Sequence, residues 1–208
     1  MNVNEYLPHI DPKAYSLSDL IDFREMDFLG FCAREKENGG IDPAVPLYMP
    51  KGQENVRVLF ARTVEEVLES LESVDEIHRQ EELIDAWNFA LSMMFLNTGT
   101  PSARIKDAFI VAVNKYRRRY EALAAEEGRD LKSMEEGLIP FTDLLGKLRN
   151  RAWQQNTQHP VFNGTPELLR ALAHFHLWVE RNFPTPEEFV AMNVAKHRVL
   201  EFRLQTNY

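Results

Sequence analysis

Apolar residues recur three and four positions apart along most of the chain, which is the spacing of one face of an α-helix. The first helix is predicted to begin at Ser16 or Ser18, whose hydroxyls can cap free amides, and to end at Gly39 and Gly40. Later helix starts share a capping threonine followed by a proline, at Thr100, Thr165 and Thr185. The pattern predicts a mostly α fold, a compact bundle of about six or seven helices.

Two segments lack this helical period. Residues 1–15 are predicted to form an irregular N-terminal arm. Residues 39–54, which include three prolines, are predicted to be a loop that separates the first helix from the rest. Residues 16–208 are therefore expected to form a single helical domain.

One short segment has the period of a strand. Between residues 56 and 61, alternate positions share a face if the chain is extended. A lone strand cannot satisfy its own backbone, so its partner is residues 45–49, another chain, or nothing if the segment is not a strand. The fold is expected to hold at most one short strand or hairpin near residues 45–61.

The segment after residue 62 carries two capping boxes, in which a hydroxyl and a carboxylate satisfy each other's backbone amides. They begin at Thr63 and Ser73, so the segment forms either two helices or one helix that continues to Leu96. One apolar stripe is predicted to be its buried face: Val64, Val67, Leu68, Leu71 and Val74.

Two further boundaries are predicted in the second half of the chain. The helix that opens at Thr100 is expected to stop at Gly128. The next helix is expected to run from Phe141 or Thr142 to Gln155.

Charge is segregated along the sequence. Residues 63–85 hold nine carboxylates and one cation, Arg79, whereas residues 104–119 hold six cations and one carboxylate, Asp107. Strongly acidic and strongly basic helices are suited to contact with charged surfaces of the same molecule or of a partner. The formal net charge of −8 argues against general, non-specific binding of nucleic acid.

The first functional hypothesis is a non-enzymatic interaction protein, such as an adaptor, an inhibitor or an accessory subunit. Its acidic helix would present a row of carboxylates that docks a basic protein or nucleoprotein partner. Alternatively, this row is a solvated face that is partly paired with the basic helix of the same molecule. The predicted partner-binding residues are Glu65, Glu66, Glu69, Glu72, Asp75 and Glu76.

The alternative hypothesis is a nucleic-acid-binding subunit. Tyrosine and arginine interleave between Lys115 and Tyr120, a combination that binding of single-stranded nucleic acid uses. However, Tyr116 and Tyr120 lie on the apolar stripe of their helix, so they are also explained as core residues. The predicted nucleic-acid-binding residues are Lys106, Lys115, Arg117, Arg118, Lys147, Arg149 and Arg151.

The third hypothesis is an enzyme whose site is assembled from scattered residues. The sequence contains no recognised catalytic, cofactor or metal motif, and no catalytic residue, cofactor or metal ligand is predicted. His174 and His176 look like a ligand pair, but on a helix they point about 200° apart. His176 is predicted to be a buried, hydrogen-bonded core residue and His174 to be partly exposed. Cys32, in a helix rich in phenylalanine, is predicted to be a buried, inert thiol.

The expected setting is cytoplasmic, with no membrane partner. A single cysteine excludes an internal disulfide and fits a reducing compartment. The first residues lack the basic and apolar regions of a secretory signal. The longest nearly apolar stretch, residues 89–96, is far shorter than the roughly 20 residues that a bilayer crossing needs. The sequence leaves the oligomeric state open.

Overall fold

The computed structural model of the chain describes residues 2–35, 39–127, 134–147 and 165–206. Within these ranges every regular element is helical and no β-strand is present, which confirms the predicted mostly α fold. The α-helices are α1 (Val3–Tyr6), α2 (Leu17–Glu35), α3 (Pro50–Glu72), α4 (Glu76–Ser92), α5 (Ser102–Glu127), α6 (Met134–Lys147), α7 (Thr165–Arg181) and α8 (Pro186–Thr206).

Helices α4 and α7 form the centre of the bundle. Helix α4 contacts α2, α3, α7 and α8, while α7 also packs against α5 and α6. The indole of Trp87 in α4 is almost fully buried, with the rings of His176 in α7 and Phe189 in α8 beside it. Aromatic side chains of this size contribute much of the apolar area that a fold buries. Among the described helices, none has both the length and the apolar content that crossing a membrane requires.

The predicted N-terminal arm consists of short helical turns. Helix α1 and the 3₁₀ turns Leu7–His9 and Pro12–Ala14 all pack against α8. Helix α2 then begins directly after Ser16, one of the two predicted starts. The Ser16 hydroxyl accepts a hydrogen bond from the amide of Asp19, so it caps the helix as expected.

The strand candidate is wrong, because residues 56–61 lie inside α3. A six-residue window is too short to separate a period of two from a period of 3.6 when most of its residues are apolar. Across the whole helix the buried positions are spaced by three and four residues, and they include Val56, Leu59, Thr63 and Val67. Pro50 opens this helix as its first residue, so the predicted loop ends five residues earlier than expected.

The loop before α3 packs against the turn between α4 and α5. The amide of Leu47 donates a 2.9 Å hydrogen bond to the carbonyl of Asn97, whose own amide donates to the carbonyl of Pro43 at 3.0 Å. Gly52, in the first turn of α3, approaches this loop so closely that a Cβ there would lie 2.2 Å from the carbonyl oxygen of Pro46. Glycine at this position therefore lets the loop and the helix touch.

The acidic segment forms two helices, α3 and α4, so the break predicted at the second capping box is present. The side chain that caps α4 is Asp75, which accepts a 2.8 Å hydrogen bond from the amide of His78. The prediction that a capping box begins a helix at Thr63 is wrong. Thr63 lies in the middle of α3, and its hydroxyl donates to the carbonyl of Leu59.

The predicted apolar stripe of the acidic segment is only partly buried. Val67 is buried as expected, but Leu68, Leu71 and Val74 are exposed. The buried side of α3 includes two hydroxyl side chains, which satisfy their hydrogen bonds on carbonyls of the same helix. Because these hydroxyls need no other partner, they can occupy the packed side, and the helix is rotated relative to the prediction.

Helix α6 begins seven residues before the predicted start at Phe141 and contains Pro140. A proline inside a helix removes a hydrogen bond and costs about 3 kcal/mol. Packing against α7 offsets this cost, because Phe141 is fully buried against Phe175. Gly137 lies so close to the ring of Trp178 that a Cβ would clash with it. The predicted end at residue 155 lies outside the described residues.

Candidate functional site

Four carboxylates converge where α3 packs against α4. Glu66 and Glu69 are one turn apart on α3, and Glu82 and Asp85 are one turn apart on α4. The carboxylate oxygens of Glu66, Glu69 and Glu82 lie within 4.8 Å of one another. Asp85 is close enough to raise the pKa of Glu66 through its charge. We refer to these four residues as the carboxylate cluster.

The cluster is electrostatically unfavourable when it is fully ionised. Burial, a hydrogen bond to Glu82 and the nearby charges of Asp85, Glu82 and Glu69 raise the pKa of Glu66 to about 8. Two carboxyl groups can share a hydrogen bond only when one of them is protonated. At that pKa Glu66 keeps a proton near neutral pH, which it shares with Glu82 through the hydrogen bond, in place of a positive charge.

Few cations offset the cluster among the described residues. The Lys196 ammonium lies 2.5 Å from Oδ2 of Asp85. Although a quarter of the Asp85 side chain is exposed, desolvation still raises its pKa, against the opposing effects of Lys196 and Arg24. Nδ1 of His78 lies 3.1 Å from Oε1 of Glu82, at the exposed edge. Lys196 and Arg24 act on Asp85 and His78 contacts Glu82, so no described cation pairs with Glu66 or Glu69.

Oxygen-rich and negatively charged, the cluster has the donor set that hard divalent cations such as Mg²⁺ and Mn²⁺ prefer. Glu66, Glu69 and Glu82 can each supply one oxygen to a common ion. Asp85 follows on the same face of α4 as Glu82. A bound divalent cation would remove the repulsion that raises the pKa of Glu66.

A small polar cavity lies next to the cluster along α4, and its interior has room for about one water molecule. Asn88, one turn after Asp85 on α4, lines this cavity, and so does His197, the neighbour of Lys196 on α8. The cavity therefore lies close to the Asp85 end of the cluster, between α2, α4 and α8. Its lining residues are Leu20, Phe23, Arg24, Asp27, Trp87, Asn88, Asn193 and His197.

The carboxamide of Asn88 is the least satisfied group in the cavity wall. Asn88 is only 8% exposed, and its side chain makes no hydrogen bond to another described residue. By contrast, the side chain of Asn193 donates to the carbonyl of Phe189 at 2.9 Å. The amide of Asn88 reaches solvent through the cavity, so it is placed to bind a water molecule or a polar group that enters the mouth of the cavity.

The opposite wall holds an aspartate–histidine pair. Nδ1 of His197 lies 3.0 Å from Oδ1 of Asp27, and the imidazole stacks on the ring of Phe23 at 4.3 Å. Nearby, the buried guanidinium of Arg24 donates two hydrogen bonds to the hydroxyl of Ser92. Burial lowers the pKa of Arg24, while Asp27 and Asp85 oppose that shift. Together these residues make a cavity whose polar groups are held in fixed positions.

The predicted row of partner-binding carboxylates is not a single solvent-facing row. Glu66 is half-buried and faces Glu82, which corrects the expectation that it points outward. Glu65 is exposed but pairs with Arg62 of its own helix at 2.8 Å. In the same way Glu76 pairs with Arg79. The remaining predicted members, Glu69, Glu72 and Asp75, are exposed.

Two of the predicted nucleic-acid-binding cations are held inside the molecule. Arg117 makes two hydrogen bonds to the carboxylate of Glu180 in α7, at 2.5 and 2.7 Å. Lys106 pairs with two carboxylates of α2, Asp22 and Glu25. The described part of the basic helix is therefore paired with α2 and α7, and not with the acidic helices.

The other predicted cations remain untested. Lys115 and Arg118 are exposed on α5. The side chain of Lys147 lies outside the described part of the chain, and so do Arg149 and Arg151. Nucleic-acid binding stays a prediction.

His176 is buried and hydrogen-bonded, as predicted. Its Nδ1 accepts a 3.0 Å hydrogen bond from the indole N–H of Trp87, so in the neutral ring the proton is on Nε2. Nε2 lies 3.1 Å from Oε2 of Glu180 without the geometry of a hydrogen bond. Although burial alone would raise the pKa of Glu180, His176 and Arg117 lower it to about 2.

His174 is half-buried, as the sequence analysis predicts. Cys32 is buried, and burial raises the pKa of its thiol to about 11.

The sequence analysis missed the carboxylate cluster, although one signal for it was present. Glu66 and Glu69 form one pair with a spacing of three, and Glu82 and Asp85 form another on the next helix. Two such pairs can face each other across a helical hairpin.

Comparisons with protein-family models, curated proteins and solved structures found no match for this chain. Its function is therefore inferred from its own residues.

Proposed function

We propose that this protein is a divalent-cation-dependent enzyme that hydrolyses a small phosphate-bearing molecule. The observation that carries the proposal is the carboxylate cluster next to a cavity whose buried Asn88 lacks a partner. The two features adjoin along α4, where Asp85 and Asn88 are one turn apart. A cation and an organic group could therefore be bound side by side.

The charge of the cluster supports a cation. Burial, and then a hydrogen bond to Glu82 and the charges of the other three carboxylates, raise the pKa of Glu66 to about 8, while the Lys196 ammonium contacts Asp85. Strongly perturbed carboxyl groups in a cleft are typical of functional sites. One or two divalent cations would restore the balance of charge and allow all four carboxylates to ionise.

The coordination chemistry of Mg²⁺ favours a ligand that carries a phosphate group. Mg²⁺ held by carboxylates keeps several positions for water and for substrate phosphates. A bound divalent cation polarises a phosphoryl oxygen and makes coordinated water more acidic, which is the chemistry of phosphate hydrolysis. Lys196, which is 14% exposed beside Asp85, could add a positive charge toward the same phosphate.

The cavity supports an organic group attached to that phosphate. It offers an amide from Asn88, the Asp27–His197 pair and apolar contacts from Leu20 and Phe23. Ligand sites typically combine apolar walls with a few fixed polar groups. Because the interior of the cavity has room for about one water molecule, only its mouth would contact the organic group, while the cluster and its cation would act on the phosphate.

The test combines cation binding with a substrate screen. Calorimetric titration with MgCl₂ and MnCl₂ should show binding, and Glu82→Gln and Asp85→Asn should each weaken the cation affinity by more than about tenfold. Even the loss of a residue that only supports a metal ligand typically lowers metal affinity by about tenfold or more. Glu65→Gln is the matched control, because Glu65 lies beside Glu66 but is exposed and pairs with Arg62. Release of phosphate and pyrophosphate would be measured with nucleoside triphosphates, sugar phosphates and p-nitrophenyl phosphate.

Two results would contradict the proposal. One is an absence of Mg²⁺ and Mn²⁺ binding at millimolar concentration. The other is cation binding that Glu65→Gln weakens as much as Asp85→Asn does, because binding would then follow overall charge and not the cluster.

Docking of a protein partner is the second candidate function, and the exposed carboxylates of the acidic helices favour it. Glu72 and Asp75 are exposed and have no cation partner among the described residues. Such a surface would steer a basic partner toward it. A cytoplasmic location is part of this proposal, because the single thiol, Cys32, is buried and suits a reducing compartment. Loss of partner association on charge reversal of Glu72 and Asp75 tests it.

A further inference from the structure

Four large apolar side chains are exposed where α3 ends and α4 begins. Leu71 is 63% exposed and Val74 is fully exposed, and Leu68 and Ile77 are also exposed. All four lie within ten consecutive residues, at one end of the α3–α4 hairpin. We refer to Leu68, Leu71, Val74 and Ile77 as the hairpin-end patch. Scattered exposed apolar residues are common, but a group of this size at one end of a hairpin marks a contact surface.

The charges around the patch restrict what can cover it. Glu72 and Asp75 lie between the apolar residues and are not neutralised by a described cation. Glu65 and Glu76 flank them and are neutralised by neighbouring arginines. A second copy that offered the same end would bring like charges together. A basic surface would satisfy both the apolar residues and the uncompensated carboxylates.

We propose that the hairpin-end patch binds the apolar face of a basic amphipathic helix in a partner protein. The inference rests on the second proposed function, docking through the acidic helices, and is independent of the cation site. Leucine and valine side chains would enter the apolar stripe of the partner helix, as in other complexes in which a helix occupies a groove. Lysine or arginine side chains flanking that stripe would pair with Glu72 and Asp75.

The probe is a synthetic peptide of about 18 residues, or five helical turns, with leucine at spacings of three and four and lysine elsewhere. A second peptide keeps the leucines but carries glutamate in place of lysine. Binding of each labelled peptide to the full chain is measured by fluorescence anisotropy. The protein variants are Leu71→Ser with Val74→Ser, and, as a matched control, Met26→Ser with Val111→Ser. Met26 and Val111 are exposed to a similar extent, on α2 and α5.

The lysine peptide should bind the wild-type chain, and Leu71→Ser with Val74→Ser should weaken it by about tenfold or more, a loss typical of central interface residues. The control pair should change affinity by less than about twofold, because surface substitutions outside an interface have small effects. Absence of any binding by the lysine peptide would overturn docking through the acidic helices altogether. Binding that survives in Leu71→Ser with Val74→Ser would leave acidic docking in place but overturn the role of the apolar patch.

Two further outcomes would assign the patch to another occupant and so overturn the inference. Equal binding of the glutamate peptide would mean that charge does not select the partner. Sedimentation velocity without peptide could show self-association that Leu71→Ser with Val74→Ser abolishes. In that case the occupant would be a second copy of this chain.

Discussion

The carboxyl group of Glu66 in α3 faces that of Glu82 in α4 across the helical hairpin, and burial together with a hydrogen bond between the two raises the pKa of Glu66 to about 8. This contact links the fold to the proposed chemistry. Packing α3 on α4 forces like-charged groups together, and the shared proton takes the place of a positive charge. If the proton is a substitute for a cation, then changes in pH and in cation concentration should affect the stability of the protein through the same residues.

Replacing Glu66 by glutamine should make the protein more stable at alkaline pH when chelator removes divalent cations. The pKa of Glu66 is about 8 in the folded chain and about 4.5 ordinarily. Between these values the folded state binds a proton that the unfolded state has lost, so stability falls as pH rises through this window. Glutamine mimics the protonated acid and should remove this contribution. Thermal unfolding from pH 6 to 9 in EDTA measures it.

The expected gain for Glu66→Gln at pH 9 is about 1 kcal/mol, because Glu66 is half-exposed and solvent screens its repulsion. For a chain of this size that corresponds to a rise in Tm of about 2–4 °C. Added Mg²⁺ should stabilise the wild type more than Glu66→Gln. Glu65→Gln serves as the control and should follow the wild type. Parallel pH profiles for wild type and Glu66→Gln would rule out the shared proton.

Replacing Asn88 by leucine should raise stability while it removes ligand binding. The carboxamide of Asn88 has no described partner and opens to the cavity, so an apolar side chain of similar size should stabilise the protein by at most about 1 kcal/mol, the lower end of the cost of an unsatisfied buried group. Asn193→Leu is the matched control in the same cavity, and it should destabilise the protein because Asn193 donates to the Phe189 carbonyl. The measurements are urea unfolding and the phosphate-release assay. A less stable Asn88→Leu protein with normal activity would show that Asn88 is structural.

The helix boundaries show which parts of this fold a sequence can specify. Ser16 caps α2 through the amide of Asp19, and Thr185 caps α8 through the amide of Glu188. Each of these contacts joins residues three positions apart, so local sequence contains both partners. The strand candidate at residues 56–61 failed for a related reason. Its face is decided by packing over the whole of α3 and not by its own six residues.

The candidate site depends on contacts between distant parts of the chain. His197 and Asp27 are 170 positions apart, and Trp87 and His176 are 89 apart. The pairing of Glu66 with Glu82 follows from the rotation of α3, which the buried hydroxyl of Thr63 helps to set. Spacing shows that each helix can present two carboxylates on one face. Only the packed structure shows that these faces meet.

Replacing Arg117 by alanine should destabilise the fold more than other changes in the basic helix. Arg117 neutralises Glu180, which is 11% exposed, so its loss would leave a mostly buried carboxylate with His176 as its one remaining side-chain partner among the described residues. The expected cost is about 2–3 kcal/mol, below the full cost of a broken buried pair because Arg117 is partly exposed. Lys115→Ala, at an exposed position of α5, should cost less than about 0.5 kcal/mol. Equal unfolding midpoints in urea for these two variants would contradict the ion pair.

Replacing His174 by leucine should remove part of the stability that the wild-type protein loses on acidification. Burial, and then the charges of Arg170 and Arg119, lower the pKa of His174 to about 4 from its ordinary 6.5. Between these values the unfolded chain binds a proton that the folded chain excludes, so stability falls as pH drops through this window. His174→Leu cannot bind that proton, so its Tm should depend less on pH from 6.5 to 4. Tyr120, which is hydrogen-bonded to His174, loses a partner, so the variant should be less stable at pH 7.

His9→Gln is the control for this experiment, because His9 lies exposed in the N-terminal arm, and its pH profile should match that of the wild type. The quantity compared is the fall in Tm between pH 7 and pH 4, not the Tm itself, so the loss of the Tyr120 contact does not enter the result. A fall in His174→Leu as large as that in the wild type would mean that other groups account for the acid sensitivity. In that case the exclusion of a proton from His174, by burial and then by the charges of Arg170 and Arg119, would make no measurable contribution to stability.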